Sequence, residues 1–473
     1  MVIGRIADGL VQGVEGAGAA FSEAFLEPTL RIGVTGLARA GKTVFITSLV
    51  ANLMDRGRMP GLQAVADGSI RSAWLQPQPD DTVPRFDFEA HLDDLTGPSP
   101  QWPEPTSSVS ELRLSLKVQP QGMIGALSGP RTLHLDIIDY PGEWLLDLGL
   151  MEMDYAEWST EILEIASARE EAGGFLAALE GLDADAGLEE RSARDIARAY
   201  TAYLRAARRA GYSDCTPGRF LMPGDMEGSP ALTFAPLPPG AGRAPKGSLR
   251  REMERRYEAY KSKVVRPFFR DHFARIDRQV VLVDLLGAIH SGPRAMDDLS
   301  RSMNRILGAF RPGRTAWLAR LLGMKRVDRI LFAATKADHI HHTQHNRMTA
   351  IMEAMLRQAR DRADFAGAKT RAMAIAALRA TVEETREVKG ETLGMVRGRL
   401  LETGREAALY PGTLPEDPSQ LLVPARDGAS EWLDDDYAVM HFAPASGTLK
   451  PGEGPPHIRL DRAAEFLVGD RLR

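Results

Sequence analysis

Cysteine is almost absent: Cys215 is the one cysteine among 473 residues. That excludes an intrachain disulfide and any cysteine-built zinc or iron–sulfur centre. Lysine is scarce as well, ten residues against a combined Lys and Arg count of 59, so each lysine inside a motif carries weight. No run approaches the ~18 uninterrupted apolar residues that a membrane-crossing helix needs. The net charge of −5 lacks the basic excess of chains given over to nucleic acid, so nucleic acid is not an expected partner. Asp8 interrupts the N-terminal apolar segment, which has no basic stretch before it, so no secretory leader is read and a cytoplasmic location is expected. What remains, 44% hydrophobic and 26% charged, is the balance of a globular protein with room for several domains.

The organisation along the chain follows from periodicity. In residues 1–28, Ile3, Ile6, Leu10, Val14, Phe21 and Phe25 share one helical face, although five glycines weaken it. A helix packed on the domain is expected there, with a membrane-surface anchor as the alternative. LRIGVTG then reads as a strand, and KTVFITSLVANLM as a helix with Val44, Leu49 and Leu53 inward. Residues 55–105 are rich in Pro, Gly and Asp and read as a long loop. ELRLSLKV and TLHLDIID are expected to pair as neighbouring strands. Residues 143–275 are mostly helical in period, broken by a Pro- and Gly-rich loop at 216–247. RQVVLVDLL, RVDRILFAATKAD and RAMAIAAL supply further strands with helices between them, and the rest to residue 473 reads as irregular with a closing helix. Strands alternating with helices predict an α/β fold with a mostly parallel sheet covered on both faces.

Three short motifs carry chemistry. Gly36-Leu37-Ala38-Arg39-Ala40-Gly41-Lys42-Thr43 matches G-x-x-x-x-G-K-[ST], between a strand and a helix as that motif requires. Glycines let successive N–H groups turn toward an anion, and the helix start adds its positive end. The expected phosphate-binding set is Gly36, Ala38, Arg39, Ala40, Gly41, Lys42, Thr43 and Val44, with Lys42 on the terminal phosphates and the Thr43 hydroxyl on Mg²⁺. Asp139-Tyr140-Pro141-Gly142 ends a later apolar strand; Asp139 there suits Mg²⁺, and Gly142 can present its N–H to a γ-phosphate. Thr335-Lys336-Ala337-Asp338 ends another. The Asp338 carboxylate can accept from both N1–H and the 2-amino group of guanine, a donor pair adenine lacks, and the Lys336 stem can lie along the base.

In this order GLARAGKT, DYPG and TKAD resemble the first, third and fourth motifs of Ras-like GTPases. More narrowly, GLARAGKTVFITSL, WPEPT before SELRL, DYPGEW and LFAATKADHIHHTQHN resemble the bacterial YcjX-like family of stress-associated GTP-binding proteins, over nearly the whole chain. That resemblance implies a Ras-like P-loop domain interrupted by a large helical insertion and followed by a C-terminal α+β extension. The implied bounds are an N-terminal helix at 1–28, the first part of the G domain at 29–142 with its first switch loop over 55–110, the insertion at 143–275, the second part at 276–385, and the extension at 386–473. It implies GTP or GDP with Mg²⁺ as the bound cofactors. Thr106 would meet Mg²⁺ and γ-phosphate, with Ser107 and Ser108 beside it in the switch; Lys336, Asp338, His339, Ala377 and Leu378 would surround guanine, and Trp102 would lie over base or ribose or else belong to the core. Some residues depart from the Ras pattern. Ala38 replaces a glycine, Thr335 replaces the asparagine that braces the fourth motif, and Glu143 stands where a glutamine orients water. A carboxylate there orients water poorly beside a phosphate of like charge, so slow hydrolysis is expected. Arg39 is read as solvated or structural, or as a cis arginine finger that would offset it.

Other features stay open. His341 and His345 are four apart, a spacing that would suit a metal pair on a helix, but a helix start with His339 beside the nucleotide is the preferred reading. The basic stretches 251–278 and 314–326 are read as solvated faces, with anionic lipid or a partner as alternatives. The expected function is a Mg²⁺-dependent GTPase switch whose loops and insertion respond to GTP against GDP. A non-hydrolysing nucleotide-dependent scaffold and an ATP-using P-loop enzyme are the alternatives. The expected partners are guanine nucleotide and an unidentified protein effector, with the inner-membrane surface as a further docking place.

Overall fold

The computed structural model describes residues 27–36, 40–104, 108–119, 129–240, 242–308, 327–357, 368–388, 390–428, 441–445 and 449–473. The helix expected over 1–28, the residues Ala38, Arg39, Thr106 and Ser107, and the basic stretch 314–326 lie wholly or almost wholly outside them.

In chain order the main elements are β1 (Thr29–Gly36), α1 (Lys42–Met54), β2 (Ile70–Gln76), α2 (Phe88–Thr96), β3 (Ser110–Val118) and β4 (Arg131–Asp139). The insertion follows, with the one-turn α3 (Glu143–Leu146), then α4 (Tyr155–Ser167), α5 (Glu190–Arg209) and α6 (Leu249–Tyr260). The chain returns as β5 (Arg278–Val283), α7 (Pro293–Gly308), β6 (Arg329–Ala334), α8 (His345–Met355) and β7 (Lys369–Ala374). It closes with β8 (Thr381–Val388), β9 (Glu391–Arg399), β10 (Glu406–Leu409), α9 (Ser419–Asp427) and α10 (Leu460–Val468).

Seven strands form one sheet in the order β2-β3-β4-β1-β5-β6-β7. The five from β4 to β7 run parallel, and β3 pairs antiparallel with β4 and β2. Period-two alternation assigns each side chain a face. Val280, Leu282, Leu331 and Ala333 join Leu30, Ile32 and Val34 under α1 and α10, where Phe45, Leu49, Leu53, Leu460 and Leu467 are buried. Val281, Val283, Ile330 and Phe332 face the other way, into a core with Met303, Ile351, Met352 and the insertion's Trp158, Tyr200, Phe234 and Tyr257. The insertion therefore shares its core with one face of the sheet.

The structure departs from sequence expectation over residues 55–110 and refines it in two other places. The stretch read as a loop over 55–110 holds an edge strand, β2, and a helix, α2. IRSAWLQ is too short and too mixed to stand out alone; its pairing with β3 makes it a strand. The C-terminal α+β extension is present: after residue 378 its strands form the three-stranded antiparallel sheet β10-β9-β8, and β8 spans residues 385 and 386, where the extension is expected to begin. The basic stretch 251–278 turns its aromatics inward: Tyr257, Tyr260, Phe268 and Phe269 are buried. Several of its arginines are paired with acids, such as Arg255 with Glu252 and Arg256 with Glu190.

Candidate functional site

The three motifs converge on one edge of the sheet, outside the C-terminal ends of its parallel strands. The chain passes from β1 to strands on one side and later to strands on the other, so a crevice opens there. β1 leads into the glycine loop. At Gly36 a Cβ would lie 2.8 Å from the Leu282 carbonyl oxygen on β5, so only glycine lets the loop leave the sheet here. Gly41 has φ 79°, the left-handed region, and caps α1. Its carbonyl accepts the first helical bond, from Phe45 N at 2.9 Å. The first amides of α1, from Lys42 onward, lack partners within the helix and carry its positive end. Ala40 and Thr43 are buried, and Lys42 and Val44 half-buried.

On the next strand, β4 runs parallel to β1 with Asp139 opposite Val34, two residues before Gly36. Asp139 is 1% exposed. The chain then turns through Gly142 into α3, against the insertion. Tyr140 donates its hydroxyl to Gln279 Oε1 at 2.7 Å. The Glu143 carboxylate is buried and ion-paired with Arg208 at the end of α5, 2.8 Å away. Trp144 donates its indole N–H to the Met222 carbonyl, 3.1 Å, and the Arg219 guanidinium stacks 3.2 Å from its ring centroid. A Cβ on Gly218 would lie 2.3 Å from the Glu143 carbonyl oxygen. Asp147 accepts from Gly218 N at 2.8 Å and from the Tyr260 hydroxyl. Complete burial pushes its carboxyl up to about 7 against these hydrogen bonds.

Two strands from β1 on the other side, β6 ends at the fourth motif. At ~4.8 Å per strand, that is about 10 Å from the glycine loop, a span that suits the distance from phosphates to base. Thr335 Oγ1 donates to the Val283 carbonyl at 3.2 Å, so the threonine itself braces this loop to β5. Lys336 sits at φ 60° and pairs with Asp284, which also caps the short helix after β5 through Gly287 N at 3.0 Å. Ala337 N donates to the Ile375 carbonyl at 3.0 Å. Asp338 is 3% exposed; its Oδ2 accepts from Ala380 N at 2.8 Å, and its carbonyl accepts from Thr381 Oγ1. Ala377 and Leu378, buried, follow β7, and Ala376 bridges Ile458 in the C-terminal segment.

His339 is buried edge-on against Phe442, centroids 5.3 Å apart, and desolvation lowers its pKa. Trp102 donates its indole N–H to the Phe442 carbonyl at 2.8 Å and packs with Ala380 and Val396. Its ring is thus engaged in this small core rather than held out over an open edge. Ser108, half-buried, lies just before β3. The metal pair His341–His345 does not form: His345 Nε2 bonds the Ala337 carbonyl at 2.7 Å, because α8 begins only at His345. His341 lies instead with His342 and Glu383.

Asp284 and Arg208 were not singled out in the sequence. Asp284 ends an apolar strand as Asp139 does, and that was its available signal; the Arg208 contact to Glu143 spans the insertion and leaves no local trace.

Thr43 in the first turn of α1 and Asp139 at the end of the strand beside β1 offer a hydroxyl and a carboxylate, the hard oxygen donors that Mg²⁺ prefers.

The chain matches the family model described as YcjX-like family, DUF463, over residues 30–472. It is 37% identical over 458 residues to a protein of Escherichia coli named Ras-like GTPase YcjX, covering 94% of this chain and 96% of that one. It is 35% identical over 468 residues to a protein of the same name in Shewanella oneidensis, covering 94% of each. With a mostly parallel seven-stranded sheet, the motif order of Ras-like GTPases and these matches along nearly its whole length, the chain belongs to the YcjX-like family.

Proposed function

We propose that this chain is a guanine-nucleotide-binding protein that hydrolyses GTP slowly and acts as a Mg²⁺-dependent switch. The observation that carries the reading is the gathering of Asp139, Gly41 and Asp338 at one sheet edge, across the strands in the order metal, phosphate, base. Family membership supports GTP over ATP, since both relatives are named Ras-like GTPases. Lys42 and the α1 amides hold phosphates, Thr43 and Asp139 hold Mg²⁺, and Asp338 reads guanine, with Ala377 and Leu378 behind the base. Bound Mg²⁺ supplies charge neutralisation between the β- and γ-phosphates. Thr106, Ser107, Ser108 and Gly142 serve as the γ-phosphate sensors in this reading.

Slow hydrolysis follows from Glu143. Its carboxylate is held by Arg208, away from any role in orienting water, and it could only repel a γ-phosphate if released. Contacts of Trp144 in α3 with Met222, and of Asp147 just after it with Gly218 and Tyr260, support transmission of the nucleotide state into the insertion. We infer a cytoplasmic location, with an unidentified protein effector reading the insertion.

The test is calorimetry of the full chain with GTP, GDP and a non-hydrolysable ATP analogue, with and without Mg²⁺, followed by single-turnover phosphate release. Tight GTP and GDP binding, weak ATP binding, and phosphate release above the buffer rate are expected. Asp338→Asn should erase most of the GTP-over-ATP preference, by 10²-fold or more on the scale of a lost paired donor set. An unchanged preference in that variant would favour an ATP enzyme, and GTP binding without phosphate release would favour a scaffold.

A further inference from the structure

We propose that His341, His342 and Glu383 form a binding site for one divalent transition-metal ion of the zinc class, separate from the phosphate edge. The three donor atoms lie within 4.8 Å of one another. Glu383 Oε2 is 2.6 Å from His342 Nδ1 and 3.8 Å from His341 Nε2. A tetrahedral zinc ion with bonds of ~2.0–2.1 Å sets its ligands about 3.3 Å apart, so modest side-chain rotation completes the set. In such a site the ion takes the place of the direct contact between His342 Nδ1 and Glu383 Oε2.

The surroundings are those of a metal ligand shell. His341 Nδ1 lies 3.0 Å from Thr343 Oγ1. With the Nδ1 proton donated there, Nε2 is the basic nitrogen and faces Glu383, the orientation by which an outer hydrogen bond holds a ligating histidine. The second carboxylate oxygen, Oε1, faces Arg379 at 3.8 Å, which leaves Oε2 for the ion. β9 passes so close that a Cβ on Gly394 would lie 2.7 Å from His341 Cγ, which pins the ring from behind. The His341 side chain is 11% exposed, Glu383 20% and His342 63%, so one side is walled and water can take the fourth position. Two imidazoles and a carboxylate suit zinc, whereas Mg²⁺ and Ca²⁺ prefer all-oxygen sets.

The two histidines follow Asp338 by three and four residues, and Glu383 lies on β8 just past Ala380 and Thr381, which both bond Asp338. A bound ion would therefore cross-link the loop after the fourth motif to the start of the C-terminal sheet. That is a structural brace, and it stands whether or not the nucleotide is guanine.

The experiment is calorimetric titration of Zn²⁺ into chelator-stripped, tag-free full-length chain without nucleotide, alongside thermal melts. One ion per chain is expected, not displaced by millimolar Mg²⁺, with a rise in melting temperature. His342→Gln, at an exposed ring, and Glu383→Gln, which keeps the shape, should each weaken binding at least tenfold and abolish the rise, while melting near the wild-type temperature without metal. No saturable binding, or binding equal in wild type and both variants, overturns the proposal.

Discussion

At the scale of single residues, backbone conformation and buried partners decide what each motif position does. Gly41 faces open space, so a substitution there meets no clash, only the strain of φ 79°. Gly41→Ala should cost about 1 kcal/mol in a urea melt without nucleotide and should weaken nucleotide binding far more than stability. Asp338 illustrates the limit of motif reading. Sequence chemistry points to its carboxylate as the guanine reader, yet only the structure reveals that Ala380 N already holds one of its oxygens in place. Thr335 is the converse. Its departure from asparagine suggested a lost brace, and the fold supplies one through the Val283 carbonyl.

At the scale of elements, the junction between α3 and the insertion stands out. Gly218 is packed against the Glu143 backbone with no room for a methyl group. Gly218→Ala should destabilise by roughly 1–3 kcal/mol, as overpacking does, and should speed hydrogen exchange across 143–150. Asp147 gives this junction a pH dependence. Its folded pKa, about 7, lies above the value of 3.8 taken for an unperturbed aspartate. The folded state then holds a proton that the unfolded state has released, so this group's contribution is fully present below about pH 4. It is lost as pH rises to about 7, at no more than ~1.4 kcal/mol per pH unit. Asp147→Asn should flatten that part of the stability–pH curve; an unchanged slope would show that the carboxyl titrates normally. Elements also show where legibility fails. β5, β6 and α1 are readable from apolar period alone, whereas β2 and the β8–β10 sheet are short, half-exposed and stabilised by distant partners.

At the scale of the whole molecule, the sheet divides two cores, and the edge proposed to bind nucleotide lies at its strand ends. A ligand that binds only the folded state stabilises it by mass action, so GDP with Mg²⁺ at a hundredfold excess over Kd should add ~2.7 kcal/mol to unfolding. ATP at the same concentration should add much less. Hydrogen exchange compared between a GTP analogue and GDP should differ at 143–152 and in the insertion's 214–222, which packs on it. Identical exchange in both states would sink the switch reading while leaving binding intact. Among the described residues no helix is long and apolar enough to cross a membrane.

The sequence by itself determined the α/β class, the strand before GLARAGKT and the helix after it, and it singled out Asp139 and Asp338 as candidates. These rest on local chemistry: period, glycine conformation, and donor sets matched to phosphate, metal and base. Only the tertiary structure decided what the residues between the motifs do. Glu143 is ion-paired with Arg208, Lys336 with Asp284, and Trp102 packs on the C-terminal sheet, each a contact between segments far apart in the chain. Such pairings depend on strand order and on how the insertion folds back, and no local pattern encodes them.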